Sequence, residues 1–101
     1  MPEQVVEQLI ARGWHISFAE SCTGGLVTAS LVSVPDASRV LDVSFVTYAN
    51  EAKIEYLDVD VDTITQHGVV SEQVAYQMAA GVAKRTRSEV GVGITGIAGP
   101  T

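Results

Sequence analysis

The stretch WHISFAESCTGGLVTASLV, residues 14–32, joins the two patterns that decide the fold class. Its opening is short, β-branched and aromatic, which predicts a strand over residues 14–19. A polar turn with two glycines follows, and small apolar residues then recur at helical spacing until Pro35, which predicts a helix over about residues 24–33. A strand that leads through a turn into a helix is the repeating unit of an α/β fold.

The sequence on both sides of this stretch continues the same alternation. We expect a helix at roughly residues 3–12, a second strand over residues 39–48, a short helix with Asn50 as its N-cap, a helical turn before Gly68, a longest helix capped by Ser71, and a third strand over residues 89–95. Helices that alternate with short apolar strands predict an α/β fold, a three-layer-like sandwich in which helices pack on a mostly parallel sheet.

Composition limits the functions that this chain can have. Its 101 residues suffice for one domain with a thin core. The net charge of -6, with six Lys and Arg residues in total, argues against nucleic acid and anionic membranes as partners. A single cysteine, Cys22, excludes an internal disulfide and a zinc cluster, and the first residues lack the apolar run of a signal peptide. The cytoplasm is therefore the expected location.

The end of the sequence is unusual for this fold class. The chain stops at Thr101, directly after the third predicted strand and the glycine turn TGIAGP of residues 95–100. That turn has no helix or strand after it, although one normally follows. We therefore expect a single domain over residues 1–101 that is cut short at its C-terminus.

Polar residues follow each of the three predicted strands. Ser21 comes after the first strand, residues 48–53 after the second, and residues 95–99 after the third. In open α/β sheets, ligands bind in the crevice outside the carboxyl ends of the strands. The three polar segments are thus expected to meet at one site.

Ser21 has two possible roles in the turn that it begins with Cys22, Thr23, Gly24 and Gly25. As a nucleophile, its hydroxyl would lie at a helix N-terminus, where free N–H groups can stabilise an oxyanion and the glycines let a substrate approach closely. Alternatively, Ser21 or Thr23 only caps the helix that follows. Cys22 is a rival nucleophile, or else a small buried packing residue.

Lys53 is the candidate base for Ser21. It is expected in the first turn of the helix capped by Asn50, where the helix dipole and burial both lower the pKa of an amine. A neutral lysine can take the serine proton during attack on a carbonyl, while Tyr48 donates to the leaving nitrogen. The alternatives are a solvated Lys53 beside Glu51 and a half-buried Tyr48 with its hydroxyl at the surface.

The remaining polar motifs are interpreted as structural. Asp58, Asp60 and Asp62 alternate like a metal ladder, but they lack the glycine and distant glutamate of an EF-hand, so we expect solvated turn residues. His67 is expected to interact with the C-terminal end of a helix. The turn TGIAGP can present N–H groups to a phosphate, but it matches neither the Walker loop nor the GxGxxG pattern.

Four motifs together resemble one family. AESCTGG at residues 19–25, VTYANEAK at 46–53, HGVVSEQVA at 67–75 and TGIAGP at 95–100 follow the order of the CinA C-terminal domain family, the nicotinamide mononucleotide deamidases. The resemblance runs from about Ala11 to the last residue. It implies hydrolysis of the carboxamide of nicotinamide mononucleotide to nicotinate mononucleotide and ammonia, with no metal or other cofactor.

The resemblance also implies roles for individual residues. The nucleophilic serine of the family matches Ser21, its lysine matches Lys53, and its tyrosine matches Tyr48, here in TYAN with Ala49 in place of a serine. Thr95 and Gly96 match the segment at the mouth of the site, where phosphate or ribose is expected. The full set of expected substrate-binding residues is Cys22, Thr23, Gly24, Gly25, Asn50, Thr95 and Gly96.

This sequence departs from the family beyond TGIAGP. Members of the family continue with a glycine-rich, KPVG-like stretch, further strands and a last helix, so we expect a smaller sheet, a pocket without one wall, and a fragment that is inactive or depends on a partner. Its thin core and unpaired sheet edges favour a homodimer or larger assembly. Two other functions stay open: an amidase for another carboxamide, and a non-catalytic, competence-associated binding module.

Overall fold

The computed structural model describes residues 2–96, in which helices and strands alternate along the chain. The elements are α1 (Pro2–Arg12), β1 (Ile16–Glu20), α2 (Leu26–Val32), a 3-10 helix (Ala37–Arg39), β2 (Leu41–Val46), α3 (Asn50–Leu57), α4 (Val61–His67), α5 (Glu72–Thr86) and β3 (Val90–Gly93). The predicted fold class, an α/β domain with helices packed on a parallel sheet, is confirmed.

The sheet has the order β2-β1-β3, and both neighbours pair with β1 in parallel. Every residue of β1 is buried, as is usual for a strand covered on both faces. Ile16 and Phe18 belong to the core formed with α1 and α2, whereas Ala19 belongs to the core formed with α3 and α5. Successive residues of β1 therefore serve opposite faces of the sheet.

Helix α5 rests directly on the main chain of β3 because that strand contains two glycines. A Cβ atom at Gly91 or Gly93 would overlap the carbonyl oxygen of Ala79 or Ala75. This close approach fixes the distance between α5 and the sheet and leaves no room for larger residues at the two glycines.

The first strand lies slightly later in the chain than predicted. The N–H of Trp14 donates to the carbonyl of Leu9 at 3.0 Å, and Gly13 has a φ of 66°, so Gly13 and Trp14 complete the end of α1. At its other end, β1 includes Glu20, whose carbonyl accepts from the N–H of Thr47 at 2.8 Å.

The start of α2 also differs from its prediction. Gly24 and Gly25 have φ values of 61° and 106°, so they form a left-handed turn, and the helix begins only at Leu26. The interpretation of Ser21 or Thr23 as its N-cap is wrong, because Gly25 is the N-cap residue and makes no side-chain capping bond.

The prediction of Asn50 as an N-cap is wrong as well. Ala49 is the N-cap residue of α3, and its carbonyl accepts from the N–H groups of Ala52 and Lys53. Asn50 is the first helical residue. The predicted cap of α5 is confirmed, since the Ser71 hydroxyl accepts from the N–H of Val74 at 3.2 Å.

The two outer strands are shorter than predicted. Arg39 belongs to the 3-10 helix and Tyr48 follows the end of β2, while β3 ends at Gly93 although the N–H of Ile94 still donates to the carbonyl of Ala19. Most of the turn TGIAGP, from residue 97 onward, lies outside the described residues. Within residues 2–96, no helix has both the length and the apolar character needed to cross a membrane.

Candidate active site

Glu20 organises the turn between β1 and α2, a role that sequence reasoning missed. Its buried carboxylate accepts from the main-chain N–H groups of Gly25, Val27 and Thr28 at 3.0, 3.1 and 2.7 Å. The hydroxyls of Thr23 and Thr28 also donate to it. Glu20 therefore binds the donors at the start of α2 that a capping serine or threonine would otherwise satisfy.

These bonds determine the ionisation of Glu20. Burial alone would raise the pKa of its carboxyl, but the hydrogen bonds from Thr23, Thr28 and Val27 outweigh burial and lower the pKa to about 2. The group is therefore a carboxylate at neutral pH, and the adjacent N-terminus of α2 favours this charge. An acidic residue that ends an apolar strand and precedes two glycines and two threonines was the available sequence signal.

Ser21 and Lys53 are in direct contact, although 32 positions separate them along the chain. The Nζ atom of Lys53 lies 3.0 Å from Oγ of Ser21, and both side chains are buried, with exposed fractions of 1% and 5%. Ser21 directly follows β1, and Lys53 projects from the first turns of α3. The end of β1 and the start of α3 thus bring a hydroxyl and an amine together, as the sequence predicts.

Two carbonyl groups orient the amine of Lys53. Nζ donates to the main-chain oxygens of Thr47 and Tyr48 at 2.8 and 3.1 Å. Carbonyl oxygens can only accept hydrogen bonds, so a neutral amine must direct both of its N–H groups to them. Its lone pair then points to the hydroxyl of Ser21, which is the arrangement of a general base and its nucleophile.

Burial also increases the fraction of Lys53 that is uncharged. Desolvation lowers the pKa of Lys53 from its ordinary range, and the charge interaction with Cys22 opposes this effect only in part. The predicted direction of this pKa shift is confirmed, and its cause is burial.

A pocket of about 210 Å³ opens onto these two side chains. Sequence reasoning missed one lining residue, Val69, an apolar residue in a loop with no chemical signal. The residues that line the pocket are Ser21, Cys22, Tyr48, Asn50, Lys53, Val69, Thr95 and Gly96. All three predicted polar segments therefore contribute to one cavity at the carboxyl ends of the strands.

Three expected substrate-binding residues are not among those that line the pocket: Thr23, Gly24 and Gly25. The hydroxyl of Thr23 and the N–H of Gly25 both donate to Glu20, and the N–H of Gly24 donates to the carbonyl of Ser21 at 3.1 Å. Their hydrogen-bonding groups thus stabilise the turn.

Tyr48 and Thr95 both line the pocket. Tyr48 is 65% exposed, and its main-chain carbonyl accepts from Nζ of Lys53. The hydroxyl of Thr95 donates to the carbonyl of Val69 at 2.9 Å, which links the loop before α5 to the end of β3.

The N-terminus of α2 is not free to bind an oxyanion, which corrects the sequence-based expectation. The N–H groups of Gly25, Val27 and Thr28 donate to Glu20, and that of Leu26 donates to the carbonyl of Thr23. Within residues 2–96, the N–H groups of Cys22 and Thr23 have no acceptor. Since Cys22 directly follows Ser21 and lines the pocket, its N–H is the donor best placed for a developing oxyanion.

The aspartates considered as a metal ladder have structural roles. Asp60 is the N-cap of α4 and accepts from the N–H of Asp62 at 2.9 Å, while Asp58 ends α3 with a φ of 57°. In the part of the chain that the structure describes, no group of three or more His, Cys, Asp or Glu side chains is arranged to hold a metal ion.

Comparison with known proteins gives consistent relatives. The family model of the CinA C-terminal domain matches residues 1–101. A CinA-like protein of Syntrophobacter fumaroxidans is 50% identical over 99 residues, which are 97% of this chain and 23% of that protein. Another, of Dictyoglomus turgidum, is 48% identical over 100 residues, 99% of this chain and 24% of that protein. The chain spans about a quarter of the length of these curated relatives.

Solved structures give the same result for the fold. A competence-damaged protein (CinA) superfamily protein from Escherichia coli superposes with a TM-score of 0.83 at 32% identity, over 86% of this chain and 51% of that chain. The competence/damage inducible protein CihA from Agrobacterium tumefaciens gives 0.80 at 40% identity, over 88% and 53%. The architecture described above is thus shared with about half of each solved chain.

Proposed function

Because this chain belongs to the CinA C-terminal domain family, we propose that it hydrolyses the carboxamide of nicotinamide mononucleotide to nicotinate mononucleotide and ammonia. The observation that carries this proposal is the buried 3.0 Å contact between Lys53 Nζ and Ser21 Oγ. The amine is held there by two carbonyl groups and the contact opens onto a pocket, which suits acyl transfer to a serine.

In the first step, the neutral amine of Lys53 takes the proton of Ser21 as Oγ attacks the carboxamide carbon. The carbonyl oxygen becomes negative and is stabilised by the N–H of Cys22. The tetrahedral intermediate then expels ammonia, whose nitrogen receives the proton from Lys53 directly or through the hydroxyl of Tyr48. The product of this half-reaction is an ester between Ser21 and the nicotinate group.

In the second step, water replaces ammonia as the group that enters the site. Lys53 takes a proton from the water as the water oxygen attacks the ester carbon, and the N–H of Cys22 stabilises the second oxyanion. Collapse returns the proton to Oγ of Ser21 and releases nicotinate mononucleotide. Lys53 and Ser21 exchange the protons of both steps, and the remaining proton of the carboxylic acid passes to ammonia or the solvent, so the proposed steps use no metal or cofactor.

The size of the pocket determines how the substrate lies. About 210 Å³ is below the range of ~300–1,000 Å³ that is typical of small-molecule sites, so the pocket suits the carboxamide end of the substrate. We assign the ribose and phosphate to the outer side, near Thr95 and Gly96. Lys53 is the single cationic side chain among the described residues that line the pocket, and the proposed mechanism uses it at the reacting carbon.

Ammonia release by the purified chain tests this function. We expect release from nicotinamide mononucleotide and much less from nicotinamide riboside, because the phosphate supplies part of the binding energy. An enzyme-coupled ammonia assay measures both rates, and the Ser21→Ala variant gives the background. Equal rates with both compounds would favour an amidase for another carboxamide. Substrate binding without any ammonia release would favour a non-catalytic module.

The pH dependence of kcat/KM reports the ionisation of the base. Because only the neutral amine accepts the serine proton, we expect the rate to rise with pH through the pKa of Lys53. Burial lowers this pKa, so the midpoint is expected below the ordinary value of a lysine. The measurement is a series of initial rates with nicotinamide mononucleotide across alkaline pH. A rate that is independent of pH, or that falls where this rise is expected, would contradict Lys53 as the base.

A further inference from the structure

Glu20 is a buried charged residue beside the proposed nucleophile, and the mechanism above does not use it. Its side chain has an exposed fraction of 0%, yet it carries no salt bridge among the described residues and accepts only from N–H and hydroxyl groups. Burial of a carboxylate is costly unless each oxygen is well hydrogen-bonded. The presence of a buried carboxylate without a salt bridge at this position therefore calls for a functional explanation.

We propose that Glu20 is a positioning residue that holds the turn 21–25 in its reactive conformation. This inference rests on the proposed function, because it concerns the reactivity of the same serine. Through the turn, Glu20 keeps Oγ of Ser21 at Lys53 and keeps the N–H of Cys22 available to the oxyanion.

The hydrogen bonds of Glu20 connect both ends of this turn. Its main-chain oxygen accepts from the N–H of Thr47, which anchors Glu20 in the sheet. The carbonyl of the same Thr47 accepts from Nζ of Lys53. Its carboxylate accepts from the Thr23 hydroxyl inside the turn and from the Gly25 N–H at its end. A single residue therefore ties the sheet, the nucleophile turn and the first turn of α2 together.

Glu20 also decides which N–H groups a substrate can reach. Because the carboxylate occupies the donors of Gly25, Val27 and Thr28, an anion cannot bind there without displacing it. The N–H of Cys22, which has no acceptor within residues 2–96 and belongs to a residue that lines the pocket, is left for the reaction.

The test measures the reactivity of Ser21 with a fluorophosphonate, a probe that does not require the nucleotide substrate. Oγ bonds to phosphorus, fluoride leaves, and Lys53 takes the hydroxyl proton. We expect Glu20→Gln to label at least about tenfold more slowly, because small displacements of reacting groups have effects of this size. In turnover of nicotinamide mononucleotide, we expect kcat to fall by the same factor while KM changes less than about twofold.

Two further variants separate positioning from general stability. Thr28→Val removes one hydroxyl donor to Glu20 but keeps the N–H bonds. We expect its labelling rate to decrease, but less than that of Glu20→Gln. Thr28→Val takes the place of Glu20→Gln if the latter does not fold. Leu9→Ala destabilises the core on the same face of the sheet, and Leu9 is not among the residues that line the pocket. At temperatures where this variant is folded we therefore expect the labelling rate of the unaltered chain.

The outcomes distinguish this inference from the proposed function. Unchanged labelling in Glu20→Gln, or an equal decrease in Leu9→Ala, overturns the positioning role and leaves the proposed function standing. If Ser21 of the unaltered chain is labelled but no ammonia is released, the proposed function fails and the labelling rates still decide the role of Glu20. If the unaltered chain is not labelled at Ser21, both are overturned.

Discussion

Replacement of Lys53 by methionine is expected to lower kcat for ammonia release at least about a thousandfold. Methionine has a similar length and an apolar end, so it fills the space of the lysine stem but cannot accept the proton of Ser21. Loss of a general base alone has effects of 10²–10⁴, and groups that act as a unit lose more. The decrease should appear in kcat, since Lys53 acts on the reacting atoms.

The structural cost of this change is smaller than its effect on the reaction. The buried carbonyl of Thr47 loses its donor, which costs about 1–3 kcal/mol, whereas the part-buried carbonyl of Tyr48 can bind water instead and removal of a buried amine relieves desolvation. We therefore expect a folded variant whose melting temperature changes by a few degrees. Circular dichroism on the assayed sample checks this point.

Lys84→Met is the matched control for Lys53→Met. Lys84 is an exposed residue of α5 that is not among the residues lining the pocket, so this variant should retain the activity of the unaltered chain. If Lys53→Met keeps more than about a tenth of the normal kcat, the amine is not the base and the mechanism fails.

Replacement of Glu20 by glutamine is expected to give the largest change in stability, and the change should depend on pH. The pKa of this carboxyl is about 2 in the folded chain and 4.5 when unperturbed. A depressed pKa stabilises the fold at pH values above 4.5, and this contribution disappears as pH falls from 4.5 through 2. The difference corresponds to about 3 kcal/mol.

Urea unfolding of both chains between pH 2 and 7 measures this contribution. We expect the unaltered chain to be more stable by about 3 kcal/mol at pH 7, with the difference decreasing toward zero near pH 2. Glu55→Gln, at an exposed position of α3, should change the free energy of unfolding by no more than about 0.5 kcal/mol. A Glu20→Gln difference that stays constant over this pH range would show that the charge of Glu20 contributes nothing.

The sequence predicted the fold class and the main contact of the site because both depend on strong local signals. The apolar residues from Ile16 to Ala19, the glycines after them and the helical spacing beyond identify a strand, a turn and a helix. Parallel strands bring their carboxyl ends to one edge, so Ser21 and Lys53 could be expected together.

The remaining details depend on interactions that local sequence does not encode. Asn50 has a better capping side chain than Ala49, yet α3 begins one residue earlier than this preference indicates, with Ala49 as its N-cap. Lys53, three residues into the helix, donates back to the carbonyls of Thr47 and Tyr48, and these contacts have no local sequence signal. Glu20 was overlooked because a charged residue at the end of an apolar strand has several possible interpretations until its partners are known. Val69 carries no chemical signal.

The alternation of side chains along the central strand makes the site sensitive to strand registry. The Glu20 side chain lies on the face of the sheet covered by α2, where it binds the N–H of Thr28. The next residue, Ser21, contacts Lys53 of α3 on the other face. A slip of one residue between β1 and β2 would exchange these two directions and present an acid to the amine and a hydroxyl to the helix. Insertions or deletions inside β1 should therefore be rarer during evolution than substitutions at its individual positions.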